Sequence, residues 1–319
     1  MHAETYDLLT IGRSSIDLYA HEIGVSIEQV RSFDAYVGGC PTNVAVGARR
    51  LGVHSALLTA VGDDQVGDFI LAFLRQEQVE TRFIPRKPGR RTSAVILTIM
   101  PPDRFPLTFY RDNCADIALD IADVLAAPID RSRIVFFSGT SLSRDPSRTA
   151  TFVAAERARI AAATLLVDLD YRADQWDDPR AYGATIRALL RMARLAVGTE
   201  EEVRAAANED DLDMAIACLL TTGIEALILK RGAHGSVVCR PGGAREDVAP
   251  FPIEVLNVLG AGDAFAAGFV YGLLQGWPLA RAARMGNATG AIVVTRHGCA
   301  NFMPTLPEVE TFVAARGGW

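Results

Sequence analysis

Late in the chain, Gly260-Ala261-Gly262-Asp263 sets an aspartate directly behind a small, glycine-flanked stretch. Gly260 and Gly262 allow a sharp turn and let a ligand approach the backbone closely. Phe265, Phe269 and Leu273 then recur every four residues, which predicts a buried helix with Asp263 in its first turn. Unpaired N–H groups at such a start suit a phosphate, and Asp263 places a base beside them. Together these groups suit transfer of a phosphoryl group to a hydroxyl. The same residues also read as a tight turn with an acidic helix cap. A dinucleotide fingerprint would need glycine where Phe265 stands, early in a βαβ unit. No GxxxxGK[ST] run occurs, so a P-loop is excluded.

Other polar groups fall where open α/β sheets bind ligands, just beyond strand ends. Asp17 follows a first apolar strand, Tyr6 to Ile11, and suits hydrogen bonds from substrate hydroxyls; its plainer reading is a turn residue. Gly38-Gly39 precede a helix with Pro41 at its start and leave room for a ligand, and Asn43 can donate and accept toward a polyol. Arg111 sits at a strand end beside Asn113, Asp112 and Asp116, placed either to grip a carboxylate through two parallel bonds or to form a surface ion pair. Asp168-Leu169-Asp170-Tyr171-Arg172 repeats the pattern. Glu200, Glu201 and Glu202 in one first turn complement a helix dipole or help to order a metal and its waters. Lys230 ends a late strand, and Arg231-Gly232-Ala233-His234-Gly235-Ser236 is a turn suited to pass over a nucleotide.

The elements that must position these groups are legible in outline. From Ile134 onward strand and helix alternate: Ile134 to Phe137, a helix over Arg148 to Ala163, Leu165 to Asp168, Leu195 to Val197, Ala226 to Lys230. That rhythm predicts a parallel sheet with right-handed crossovers. Ser55 to Val61 reads as a strand, Val66 to Gln76 and Leu279 to Val294 as helices, and Pro304 and Pro307 as a loop before a last helix. Asp17 to Val37, Ser93 to Met100 and Leu107 to Arg111 read as β outside the rhythm, the last two joined by a turn at Pro101-Pro102-Asp103. The chain has 319 residues, 50% of them hydrophobic, enough for a full core. A net charge of -6 argues against a nucleic-acid partner. Met1-His2-Ala3-Glu4 lacks a basic n-region, and no apolar run reaches spanning length, so neither a leader nor a membrane span is expected. Five scattered cysteines without a CxxC read as reduced thiols of a cytoplasmic protein.

Taken together, Gly38-Gly39 with Asn43 early and Gly260-Ala261-Gly262-Asp263 late resemble the ribokinase-like, phosphofructokinase B-type carbohydrate kinases, over Tyr6 to Thr305. The resemblance implies one domain over 1–319 with a three-layer α/β/α fold, a small β-sheet lid from about 17–37 and 93–111, and a homodimer formed through the lid. It implies ATP and Mg²⁺, with a monovalent cation such as K⁺, and a sugar acid as substrate. Asp263 would be the catalytic base, and Gly260, Ala261 and Gly262 would shape an anion hole closed by the amides up to Asp263. Asp17, Gly39 and Asn43 would touch the sugar, and Arg111 and Arg172 its carboxylate. Lys230, Gly232 and Gly235 match the nucleotide loop, Asn287 lies near adenine, and Glu201 matches the Glu of an Asn-x-x-Glu motif that helps to place Mg²⁺. Two departures stand out. Asn257-Val258-Leu259 replaces the usual Asp-Thr lead-in, which weakens the monovalent-cation expectation, and Gly198 stands where the Asn of Asn-x-x-Glu is expected. Rival readings are a 2-dehydro-3-deoxygluconate kinase or fructokinase, an inactive sugar-binding sensor, and an NAD-linked oxidoreductase, whose fingerprint is missing.

Overall fold

A computed structural model describes residues 4–100 and 104–319; Met1 to Ala3 and the Pro101-Pro102-Asp103 turn lie outside the described residues. The chain begins with β1 (Tyr6–Ile11), β2 (Ser15–Ala20), β3 (Phe33–Gly38) and α1 (Cys40–Arg50). It continues through β4 (Ser55–Leu58), β5 (Val61–Gly62), α2 (Gln65–Gln76), β6 (Arg86–Lys87), β7 (Ser93–Leu97) and β8 (Leu107–Tyr110). Then follow α3 (Ile121–Ala126), β9 (Ser132–Ser138), α4 (Ser147–Ile160), β10 (Thr164–Asp168), α5 (Pro179–Leu190), β11 (Leu195–Thr199), α6 (Glu200–Ala207) and α7 (Leu212–Leu220). The last part holds β12 (Ala226–Lys230), β13 (Ser236–Cys239), β14 (Arg245–Val248), α8 (Ala261–Leu274), α9 (Leu279–Val293) and α10 (Leu306–Ala314).

The main sheet runs in the order β14-β13-β12-β11-β10-β9-β1-β4. Its strands are parallel from β4 to β12 and antiparallel at β13 and β14. Successive residues of a strand point to opposite faces, so each central strand feeds two cores. Leu9, Val135, Val167 and Leu227 pack against α4 to α7, while Leu8, Phe136, Leu166 and Ile228 pack against α1, α8 and α9. This double burial makes the fold a three-layer α/β/α, and it explains why these strands read as unbroken apolar runs.

The stretches outside the strand–helix rhythm form a second sheet, β3-β2-β7-β8. Here β2 pairs antiparallel with β3 and parallel with β7, and β8 pairs antiparallel with β7. This is the lid. Tyr19, Val95 and Leu97 point inward and are buried, whereas Ile16, Leu18, Ala94 and Ile96 point outward and are only partly covered.

Three of the boundary differences from the sequence reading are informative. The strand from Ser55 stops at Leu58, and Val61 instead pairs with Arg86 in a separate two-stranded ribbon. The helix expected to reach Ala163 ends at Ile160, where the chain turns into the αL conformation at Ala162. Pro307 lies in the first turn of α10 rather than in the loop before it, because proline fits where a helix N–H has no partner anyway. No helix among the described residues is long and apolar enough to cross a membrane.

Candidate active site

Asp263 is the third residue of α8, whose cap Gly260 adopts a left-handed φ of 80°. A side chain at Gly260 would meet Cys299 Sγ at 3.0 Å, so the turn requires glycine. Ala264 N–H bonds back to Gly260 and Ala261 N–H reaches the Val258 carbonyl at 3.3 Å. Among the described residues the Gly262 and Asp263 amides have no partner, which leaves a donor pair at the positive end of the helix dipole. Asn43 Nδ2 donates to Asp263 Oδ2 at 2.6 Å, which fixes the carboxylate's orientation from α1, and the neighbouring Cys40 thiol also favours the ionised form. Burial, reinforced by the negative charge of Asp170, pushes the Asp263 carboxyl above its usual range against both influences. A carboxylate shifted that way is a stronger base.

Arg13, Asp17, Asn43, Asp170, Arg172 and Asp263 line one cleft between the lid and the carboxyl ends of the main sheet. Asp17 comes from β2 and lies against Gly38, where any side chain would fall 1.8 Å from its Oδ2. Gly39, at φ 102°, lies just as tightly on the Arg13 carbonyl, at 2.4 Å from a built Cβ. The room the twin glycines supply is thus taken up by Asp17 and the Arg13 backbone. Burial raises Asp17 to about 6. Arg172 pairs with Asp170 at 2.9 Å, with its side chain 40% exposed toward the cleft. For Asp170, burial is outweighed by Arg172 and the Ser138 hydroxyl, so its pKa is lowered.

Arg111 does not join this group. Its Nε and Nη2 grip Asp116 at 2.8 and 2.6 Å, Nη2 also donates to the Thr140 carbonyl at 3.0 Å, and Nη1 donates to Ser143 and Gln175. The whole fork is committed inside the protein, so the expectation of a carboxylate grip at Arg111 meets a buried ion pair instead.

The other half of the site is built largely from backbone. Gly232 and Gly235 shape the β12–β13 turn with φ of 54° and 80°. Gly235 packs on the Val248 carbonyl, and Asn287 Nδ2 donates to the Val248 and Ala249 carbonyls at 3.2 and 2.9 Å. The turn and Asn287 are therefore joined through the end of β14. Lys230 turns away from them. Its Nζ lies 3.1 Å from Asp168 and 3.8 Å from Glu202, and 3.2 Å from where a Gly262 side chain would sit. Although burial alone would lower its pKa, Asp168 and Glu202 hold it raised, so the ammonium stays charged beside the α8 amides.

Glu201 is exposed, while Glu202 faces Lys230 and accepts from the Thr199 N–H at 2.7 Å in a reciprocal capping box. Gly198-x-x-Glu201 and Thr199-x-x-Glu202 share the spacing of Asn-x-x-Glu, but Thr199 is the helix cap and Glu202 is the glutamate turned inward, toward Lys230. The signal was present as a capping-box pattern. Gly198 has a packing reason of its own, since a side chain there would strike Leu169 at 2.5 Å.

A family model described as pfkB family carbohydrate kinase matches residues 6–306. The chain belongs to the pfkB family of carbohydrate kinases. A 5-dehydro-2-deoxygluconokinase of Geobacillus thermodenitrificans (strain NG80-2) is 34% identical over 312 residues, covering 96% of this kinase and 93% of the relative. A protein of the same name from Bacillus anthracis (strain CDC 684 / NRRL 3495) is 34% identical over 314 residues, covering 97% and 95%. Among solved structures, a putative Ribokinase II from E. coli in complex with ATP and Mg²⁺ superposes with a TM-score of 0.88 at 25% identity, covering 97% of this kinase and 99% of that chain. The fold is ribokinase-like, and the protein is an ATP-dependent carbohydrate kinase.

Sequence reasoning left Arg13, Cys40 and Cys299 of the kinase without a role. Arg13 had a signal, since it follows β1 directly at the same sheet edge that singled out Asp17. The two cysteines had none, because only the fold brings residues so distant in sequence to either side of Gly260 and Asp263. Burial pushes both thiols up in pKa, so they stay protonated. All five cysteines are unpaired.

Proposed function

We propose that this kinase transfers the γ-phosphoryl group of ATP to the C6 hydroxyl of 5-dehydro-2-deoxy-D-gluconate, a step of myo-inositol breakdown in the cytoplasm. The observation that carries the reading is that the buried base Asp263 and the arginine Arg172 open into one cleft under the lid. Full-length relatives bearing the name of that activity support the choice of sugar.

In this reading Asp17 and Asn43 take the sugar hydroxyls and Arg172 faces the acid group. Asp263 Oδ1 accepts the C6 proton as the oxygen attacks the γ-phosphorus. The bond from the γ-phosphorus to the β,γ-bridging oxygen breaks and ADP leaves. The Gly262 and Asp263 amides and the Lys230 ammonium face the oxygens on which charge spreads. Gly232, Gly235 and Asn287 flank the nucleoside end.

Mg²⁺ fits the donor set. Asp168 and Glu202 are hard carboxylates beside the anion site, and a metal that keeps waters and binds mainly to phosphates needs no dense protein cage. When bound, it would neutralise phosphate charge. For K⁺, neutral Asn257 is a poor fit. It is buried, its amide donates to the His297 carbonyl at 3.1 Å and its oxygen accepts from the Leu259 N–H at 3.0 Å, so both ends are used to hold the loop.

A homodimer through the lid belongs to the same reading. It is supported by the outward face of the lid, where Ile16, Leu18, Ala94 and Ile96 are flanked by exposed Phe33 and Tyr110.

The test is ADP release across a panel of keto-deoxy sugar acids and neutral hexoses. The acid named above should give the highest kcat/KM. Asp263→Ala should lose roughly 10²- to 10⁴-fold in kcat while still binding ATP. Turnover near wild type in that variant refutes the role of Asp263.

A further inference from the structure

We propose that Arg13 is the residue that makes the cleft select an acid, its guanidinium receiving the substrate carboxylate. The inference rests on the sugar-acid reading above and assigns the discrimination to a residue outside the arginines matched by resemblance.

Arg13, Arg111 and Arg172 differ in what their side chains have left to give. Arg111 has no free edge, and Arg172 already carries the counter-charge of Asp170. Arg13 is only 7% exposed. Its one side-chain hydrogen bond among the described residues runs from Nη1 to Ser15 Oγ at 2.8 Å, and Nε is buried with no partner at all. Burying a charged donor without a partner is costly, and a native fold keeps such a group where something else completes it.

The surroundings specify what that is. Arg13 stands at the carboxyl end of β1 and lines the same cleft as Asp17 and Asp263. The Phe109 ring of the lid lies 5.3 Å from its guanidinium carbon, a cation–π contact that uses none of its N–H donors. Ser15, held by Arg13, donates onward to Asp17 Oδ1 at 2.7 Å, so the group is fixed from its Nη1 side while Nε has no partner. A planar anion such as a carboxylate matches a guanidinium edge with two parallel bonds. A neutral hexose would leave the buried Nε donor without a bond, the case in which discrimination is strong. An acceptor also waits in the cleft, since Asn43 Oδ1 is buried without a partner and suits a sugar hydroxyl.

The experiment uses the full chain as wild type, Arg13→Met and Arg13→Lys, with KM and kcat for 5-dehydro-2-deoxygluconate, fructose and ATP, and melting shifts with each sugar. Arg13→Met should raise KM for the acid roughly 10- to 100-fold, leave KM for ATP unchanged, and not weaken fructose. Arg13→Lys should recover part of the loss, since it keeps charge without the fork. An unchanged KM for the acid in Arg13→Met, or equal losses on acid and fructose, overturns the assignment. If Arg13→Met does not fold, the acid-induced melting shift decides: loss of most of it in Arg13→Lys supports the proposal, and a full shift overturns it. A wild type that phosphorylates fructose and not the acid would sink the sugar-acid reading itself, an outcome separate from failure of Arg13 alone.

Discussion

Arg111 directly follows β8 and Arg172 lies four residues past β10, and residue type alone makes them equivalent. Arg111 is closed in by Asp116, Thr140, Ser143 and Gln175, with its side chain 8% exposed. Arg172 keeps one carboxylate partner and an open side. The difference shows that a cation's availability is set by what the fold packs around it. Arg111 ties the lid strand β8 to the segments that follow β9 and β10, which is structural service. Arg172 offers itself to the cleft.

The largest effect that would break this contrast is on stability. Arg111→Met leaves Asp116 buried without its ion partner, and removing one member of such a pair costs about 3–5 kcal/mol. Denaturant unfolding should show that loss, with KM for the sugar acid little changed in protein that folds. Arg111→Met combined with Asp116→Leu should recover much of the stability. If KM for the acid rose sharply in the double variant, Arg111 would belong to the site after all.

Arg172→Met is the mirror case. KM for the acid should rise on the order of 10-fold, with a smaller change in melting temperature than for Arg111→Met, because half-open pairs contribute little to stability. The reverse ranking of the two arginines would overturn the comparison.

Asp17 sharpens it from the anionic side. Its folded-state value of about 6 exceeds the ordinary 3.8, so the folded protein holds this proton longer than the unfolded chain. The stability contributed by Asp17 is therefore present below about pH 4 and is lost as pH rises through about 6. Binding of sugar hydroxyls needs the ionised form and should move the other way, with KM rising as pH falls below about 6. Subtracting the profile of Asp17→Asn isolates both trends, and parallel movement would show that Asp17 does not hold the sugar.

The smallest effect concerns the acidic turn. Glu201→Gln should leave kcat unchanged at limiting Mg²⁺, and Glu202→Gln should lower it several-fold. Equal behaviour would remove the distinction between the exposed and the inward-facing glutamate.

Much of this is legible in the amino-acid order alone. Central strands announce themselves as apolar runs because both faces are covered, and Gly260 to Asp263 because a left-handed cap, free amides and an acid must be adjacent in sequence to work together. Arg172 follows a strand end and Asn43 stands in a first helical turn, positions that point to a ligand site, whereas Asp17 lies within β2, where the sequence placed it only just beyond the first strand. What escapes such reading is partnership across the chain. Whether Arg111 is free depends on Gln175, and whether Glu202 faces inward depends on Lys230. That Arg13 Nε is buried without a partner depends on which segments pack around it. No local spacing encodes those contacts, since they are settled when distant segments meet.

The strand β2 carries one last implication. Asp17 and Tyr19 look into the cleft beneath the lid, and Ile16 and Leu18 look out from it. Its ladders, Ile16 against Val37 and Ala94 and Asp17 against Tyr36 and Val95, lock that alternation. A shift of a single residue along either neighbour would exchange the two sets, driving isoleucine into the cleft and aspartate to the outside. The integrity of catalysis here thus hangs on the phase of one six-residue ribbon, and insertions or deletions within it should be far less tolerated than any lengthening of the loops at its ends.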